Sequence, residues 1–441
     1  MSIKKLYSKV DQLLKKAENK KLRYVILISL VLVLSFISLC VGHFLFSPAG
    51  DPLKDDQTGL LSETHVGGTT PQTTARIEAD AVRYIHRTEE INGLKQVINI
   101  LEIDPGVPGI QIQPVLSHDL IYGFEMLSEM AGRKKAYAAV TGGFFSRYGL
   151  PSGMVVINGE LVSASTGRYP VFLEVNGKAE LRELKGTITV EYRQKGFDNS
   201  TSTDSHTNHS TANSSKAASN TGGSSGSITA DGFNSVAGPK SIAVYTPFYG
   251  QTNRAETPNV TATIEGGIVT KIAFYEEEAE IPQNGFLISF FDTRQISVET
   301  VPLHVGNSIK ILHKPELEPG TDAYECGTWL VRGGEAVVPL KDAWIGVLTN
   351  RDPRTAIGIK QNGTVVLLTV DGRQPGYSAG FTGQELADYL IGCGVKDAAM
   401  LDGGASTEML VAGKLVSSPS YKGEERTLGG GILVLAEGKG K

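Results

Sequence analysis

A chain of 441 residues with 40% hydrophobic residues has enough apolar mass for a buried core. Its formal net charge of −5 does not suit a nucleic-acid partner. The three cysteines, Cys40, Cys326 and Cys393, are too few for a disulfide scaffold, and neither a CxxC pair nor metal-spaced histidines occur.

The first segment, 1–23, carries eight Lys/Arg against Asp11 and Glu18 and reads as a cytoplasmic basic tail. Tyr24–Phe46 follows with no Asp, Glu, Lys or Arg. As a helix it is roughly 35 Å long, enough to cross a bilayer. The charge contrast predicts a cytoplasmic N-terminus and an extracellular main domain at the cell membrane. A long cleaved signal peptide is the competing reading, and it also exports the rest. Segment 47–80 is polar and turn-rich and reads as an extracellular stalk.

Structure is expected from about Ala81. Val82–Arg87 and Lys95–Ile103 flank Asn92-Gly93 as a hairpin, and Ile110–Leu116 alternates like a strand. Phe124–Ala131 is a short helix candidate. Ala136–Val140 is a small apolar strand that runs into Thr141-Gly142-Gly143-Phe144-Phe145. A second hairpin turns at Asn158-Gly159. Segment 198–227 is almost entirely Ser, Thr, Asn, Gly, Ala and His, and is expected to be a disordered insertion. Strand patterns resume at Ser241–Thr246, Asn259–Ile264, Ile268–Tyr275 and Gly285–Phe290. Trp329–Arg332 opens a further hairpin at Gly333-Gly334. After 404, Ala412-Gly413 marks another, and Gly431–Leu435 is the last strand.

The densest chemistry lies in Asn350–Gly404. Asn362-Gly363 predicts a two-residue hairpin between Arg354–Lys360 and Thr364–Val370. That register would set Arg354 opposite Asp371 on one face. Thr382 and Glu385 form a capping box for a helix that buries Leu386 and Leu390 and stops at Gly392 and Gly394. Asp397–Leu401 then reads as a buried strand. Strand, helix, strand is a right-handed crossover, so the two strands are expected to be parallel. Each ends in Asp-Gly, which brings Asp371 and Asp402 to one sheet edge, with Arg354, Arg373 and Ser378 close by in sequence. Asp-Gly pairs also serve as plain turns, and Arg354 with Asp371 could be a structural ion pair.

Six pieces occur in order: GGFF at 142–145, WLVRGGEAV at 329–337, DPRTAIG at 352–358, VDGR at 370–373, LDGGAST at 401–407 and EERT at 424–427. As an ordered set they resemble the phosphodiester glycosidase family, which includes the N-acetylglucosamine-1-phosphodiester α-N-acetylglucosaminidases. Three positions depart from the family pattern. Thr141 stands where Asn is usual, Ala405 where a third glycine is usual, and Glu408 where a small hydroxyl residue is usual.

The resemblance implies hydrolysis of a sugar C1–O–phosphate bond. Such a bond has a good leaving group, so charge placement matters more than a general acid. Arginines suit the phosphate: Arg354, Arg373 and Arg426. Carboxylates suit the oxocarbenium-like carbon: Asp371 and Asp402. Gly142, Gly143, Gly403 and Gly404 would let backbone N–H groups approach an anion, and Ser406 or Thr407 would bond phosphate or a sugar hydroxyl. Phe144 and Phe145 read more as core than as a sugar platform. No cofactor is called for. The two aspartates with their glycines could hold a structural calcium, although no D-x-D-x-D loop is present.

The expectation is an α+β fold: a mixed, strand-rich single catalytic domain over 81–437 with a few helices, preceded by one transmembrane helix. The expected partner is a phosphorylated glycan of the cell envelope or an exopolysaccharide. The rival reading is a non-catalytic envelope protein that binds phosphorylated glycans through the same arginines.

Overall fold

A computed structural model describes residues 81–194 and 225–436. Its architecture corrects the α+β expectation. Among the described residues the fold is mainly β, with only two α-helices, Leu127–Arg133 and Gly383–Gly392. The physical reason is connection length. Short strands joined by tight turns pair antiparallel with their neighbours, and little chain is left for helices. The transmembrane helix expected over Tyr24–Phe46 falls outside the described residues. No helix among the described ones is long and apolar enough to cross a membrane.

The central sheet has seven strands, in the order Val82–Ile91, Leu94–Ile103, Val365–Val370, Arg354–Lys360, Val395–Met400, Trp329–Arg332, Glu335–Ala336. Every neighbouring pair in it is antiparallel. Val365–Val370 and Val395–Met400 both run against Arg354–Lys360 between them, so they are parallel to each other. Their C-terminal ends meet at one edge, as the crossover requires.

One face of this sheet carries Leu101, Ile357 and Leu367. It packs against Ile112, Val140 and Ile432 from a five-stranded sheet. The other face carries Ile100, Ala356 and Leu368 and is covered by the helix Gly383–Gly392 through Leu386 and Leu390. The helix begins as its sequence indicates. The Thr382 hydroxyl accepts from Glu385 N–H at 3.1 Å, and the Glu385 carboxylate accepts from Thr382 N–H at 3.0 Å. Burying each of those leucines contributes roughly 1.5–3 kcal/mol.

Two Asn-Gly turns behave differently. At Asn92-Gly93 both residues have positive φ, 52° and 72°, and Ile91 pairs with Leu94 across a two-residue loop. At Asn362-Gly363 only the glycine does, at φ 90°. There Lys360 N–H donates to Thr364 O and Gly363 N–H to Lys360 O, which makes a three-residue loop. The register shifts by one, so Arg354 pairs with Val370 and not with Asp371. Side chains alternate along a strand, so this slip sends Arg354 and Asp371 to opposite faces of the sheet.

An eight-stranded sheet runs from Ser225–Ala230 to Gly232–Phe233 and encloses its own core around Val244, Val260, Ile288 and Phe290. Its first strand pairs with Ile188–Arg193, so Ser225, Gly226 and Ser227 belong to a strand and not to the disordered insertion. The rest of that segment lies outside the described residues.

Candidate active site

The strand Val395–Met400 delivers Leu401-Asp402-Gly403-Gly404 to the sheet edge. Asp402 N–H donates to Gly142 O at 3.0 Å, which ties this loop to the turn after Ala138–Thr141 in the facing sheet. Gly404 has φ +62°, and its N–H donates to Pro353 O at 2.8 Å. A Cβ there would lie 3.2 Å from an Arg373 guanidinium nitrogen, so the glycine lets that side chain cross the loop.

These elements close a pocket of about 180 Å³ lined by Asp402, Arg373, Asp352, Arg354, Phe144 and Trp344, among others. Asp402 accepts from Gly403 N–H at 2.9 Å and from the Ser406 hydroxyl. Burial nevertheless pushes its carboxyl up to about 6, while those two hydrogen bonds and the nearby positive charge of Arg426 pull the other way. Arg373 lines the same pocket from the left-handed backbone position after Gly372, at φ 59°. Its Nε and Nη2 both reach Asp352 Oδ1 at 2.9 Å, and its side chain is still 49% exposed. An oriented guanidinium with spare donors can take a phosphate. Phe144 and Trp344 form one wall at 5.6 Å between ring centroids, with Tyr169 stacked behind at 4.0 Å.

Arg354, Gly403 and Gly404 also line the pocket, and the other expected site residues do not. Asp371 is fully buried on the far face of the sheet. It accepts from Ser418 N–H at 3.0 Å and from the Tyr377 hydroxyl at 3.2 Å. Burial raises it to about 6 as well, against those two hydrogen bonds and the pull of His86. Ser378 is buried and donates to the Asp371 carbonyl at 2.6 Å, so it is part of the turn and not of the pocket. Arg354 is 3% exposed, and its guanidinium is held by Phe381 O at 3.1 Å and Asn350 O at 2.8 Å. Burial holds its pKa below the usual arginine range. It lines the pocket as a braced charge, with Asp352 at 3.5 Å.

Gly142 and Gly143 are needed for packing. A Cβ on either would fall 2.8 or 2.6 Å from the Tyr324 side chain. Thr407 is buried beside Thr355 at 3.4 Å. Arg426 lies close enough to favour the charged form of Asp402, and its guanidinium is 6.0 Å above the Tyr421 ring. Its N–H donates to Glu408 Oε1 at 2.8 Å. Glu408 is fully buried, its Oε2 has no partner, and burial pushes it up to about 8. Among the described residues no group of three or more His, Cys, Asp or Glu side chains is placed to hold a metal ion.

Sequence reasoning did not single out Asp352, Trp344 or Tyr324 for the site. Asp352 stood inside the DPRTAIG piece, one residue before a proline, and was available as a partner for Arg373. Trp344 and Tyr324 carried no local signal. Trp344 lines the pocket, and Tyr324 packs under Gly142 and Gly143 without lining it.

Residues 258–435 match the family model described as phosphodiester glycosidase. The SPbeta prophage-derived uncharacterized protein YomE of Bacillus subtilis is 25% identical over 193 residues, which is 41% of this chain and 30% of that protein. The chain thus spans less than a third of that relative's length. A hypothetical protein from Synechocystis superimposes with TM-score 0.62 at 20% identity, over 81% of this chain and 62% of that one. A putative exported protein from Burkholderia pseudomallei gives TM-score 0.58 at 22% identity, over 78% and 74%. Both share the fold.

Proposed function

We propose that this chain, whose residues 258–435 match the phosphodiester glycosidase family model, hydrolyses a glycosyl–phosphate linkage in a cell-envelope or exopolysaccharide glycan. One observation carries the reading: a carboxylate, Asp402, and an oriented arginine, Arg373, line the same small pocket. The Asp352 ion pair fixes the Arg373 fork, and the fork holds the phosphate. Asp402 faces the anomeric carbon and stabilises the positive charge that develops as the C1–O bond lengthens. The bonding pair leaves with the phosphate oxygen as a phosphate monoester. Water supplies the oxygen that joins C1, and its proton passes to a carboxylate or to solvent. Phe144 and Trp344 offer apolar faces to a sugar ring. Asp371 supports the edge from the far face and takes no part in bond cleavage.

The test is turnover of a chromogenic sugar-1-phosphodiester by the purified chain. Release of the chromophore that depends on Asp402 supports hydrolysis. Tight binding of phosphorylated glycan with no release by the wild type would move the protein to the binder class.

A further inference from the structure

A second cleft, of about 550 Å³, lies outside the candidate active site. It is lined by Tyr122, Tyr148, Tyr249, Arg147, Arg254 and Phe291, among others. Neither arginine is in an ion pair among the described residues. Each guanidinium instead lies over a tyrosine ring, Arg147 at 4.6 Å from Tyr148 and Arg254 at 4.1 Å from Tyr122. Tyr122 and Tyr249 meet edge to face at 5.1 Å, and their hydroxyls share a hydrogen bond of 2.8 Å. Tyr148 is 52% exposed. Tyr249 is buried, so the accessible part of this surface is Tyr148, part of Tyr122 and the two exposed guanidiniums.

The chemistry narrows the occupant. Glu256 and Glu278 also line the cleft, so positive and negative groups are balanced there. That balance does not suit a polyanion such as nucleic acid. It suits a ligand rich in hydroxyls. Carboxylates accept from such groups, guanidiniums donate to them, and aromatic faces cover the C–H face of a sugar ring.

The loop that carries Arg147 and Tyr148 is pinned. Gly123 N–H donates to Tyr148 O at 3.0 Å, and Ser146 N–H to Leu150 O at 2.8 Å. Gly149 has φ +86°, and a Cβ on it would sit 2.0 Å from Gly123 O. The cleft is therefore preformed. The same loop reaches the active site, since Phe144 lines that pocket. Phe144 and Arg147 are three residues apart, so their Cα atoms lie within about 11 Å.

We propose that this cleft is a second glycan-binding site, which holds the sugar chain that extends from the linkage under cleavage. Its placement along the substrate rests on the phosphodiester glycosidase reading above. The glycan binding itself does not.

The test uses the full chain and the variants Tyr148→Ala and Arg254→Ala, with melting temperature as the folding control. Affinity electrophoresis measures retention by chitohexaose, by maltohexaose and by a poly(glycosyl 1-phosphate). The wild type is expected to be retained by at least one probe, and each variant is expected to lose about tenfold in affinity. On the small chromogenic phosphodiester the variants should stay within about twofold of wild type, whereas KM for the polymer should rise about tenfold. No retention of the wild type by any probe overturns the proposal. So does an equal loss on small and polymeric substrates, because the loop would then act through Phe144. Retention that depends on Tyr148, in a chain that cleaves neither substrate, upholds the glycan site and sinks the glycosidase reading instead.

Discussion

Asp371 and Asp402 end two parallel strands of one sheet, each is followed by glycine, and burial pushes both carboxyls to about 6. Their surroundings differ. Asp371 points to the face packed on the neighbouring sheet, where Ser418 and Tyr377 occupy its oxygens. Asp402 opens into a pocket shared with Arg373 and an aromatic wall. The same dipeptide at the same edge thus places one carboxylate among hydrogen-bond donors in the packed interior and the other in a pocket lining, and the proposed function gives chemistry only to the second. The difference comes from which face the side chain takes and from what the following loop lays over it. A shifted pKa alone would not separate them.

The comparison breaks most easily on activity. Asp402→Asn is expected to lower kcat/KM on the chromogenic phosphodiester by about 10²–10⁴ with the fold intact, whereas Asp371→Asn should stay within about threefold of wild type. Comparable losses in the two variants would erase the distinction. Next in size, Arg373→Lys should cost about ten- to a hundredfold, because a point charge cannot keep both the Asp352 contact and a phosphate fork. Steady-state kinetics on the same substrate reads this directly.

Stability tests the anchor. Asp371→Ala leaves the Ser418 N–H and the Tyr377 hydroxyl without their acceptor and is expected to destabilise by about 1–3 kcal/mol. Denaturant unfolding measures it, and an unchanged midpoint would show that Asp371 anchors nothing. The pH profile of kcat/KM sharpens the assignment further. Asp402 must be ionised to face a developing cation, so activity should rise with pH through about 6. That limb should persist in Asp371→Asn.

The smallest effect concerns Glu408, a third buried carboxyl. Its pKa is raised in the fold, so its favourable contribution is present below the ordinary glutamate pKa of about 4.3 and is lost as pH climbs through about 8. Glu408→Gln mimics the protonated acid. It should match wild type at pH 4 and melt at least about 2–4 °C higher at pH 9, by calorimetry. An equal melting temperature at pH 9 would mean the buried carboxylate finds a partner there.

Local pattern carried much of the fold. The capping box at Thr382 and Glu385, the strand Ile110–Leu116, the hairpin at Asn92-Gly93 and the crossover that aligns Asp371 with Asp402 all follow from neighbouring residues. The slip at Asn362-Gly363 did not, because an Asn-Gly pair suits both a two-residue loop and the end of a three-residue one. That single residue decided whether Arg354 could meet Asp371. The strands Pro170–Val175 and Lys178–Glu183, joined at Asn176-Gly177, also escaped notice, although they carry the same turn signal.

The sequence by itself determined which residues could do charge chemistry, where turns fall and which strands end together, because these depend on residues a few positions apart. The tertiary structure alone decided which of two equivalent aspartates meets an arginine and an aromatic wall. Phe144, Trp344, Asp352 and Asp402 come from four separate stretches of chain, and they converge only when two sheets pack face to face and their edges align.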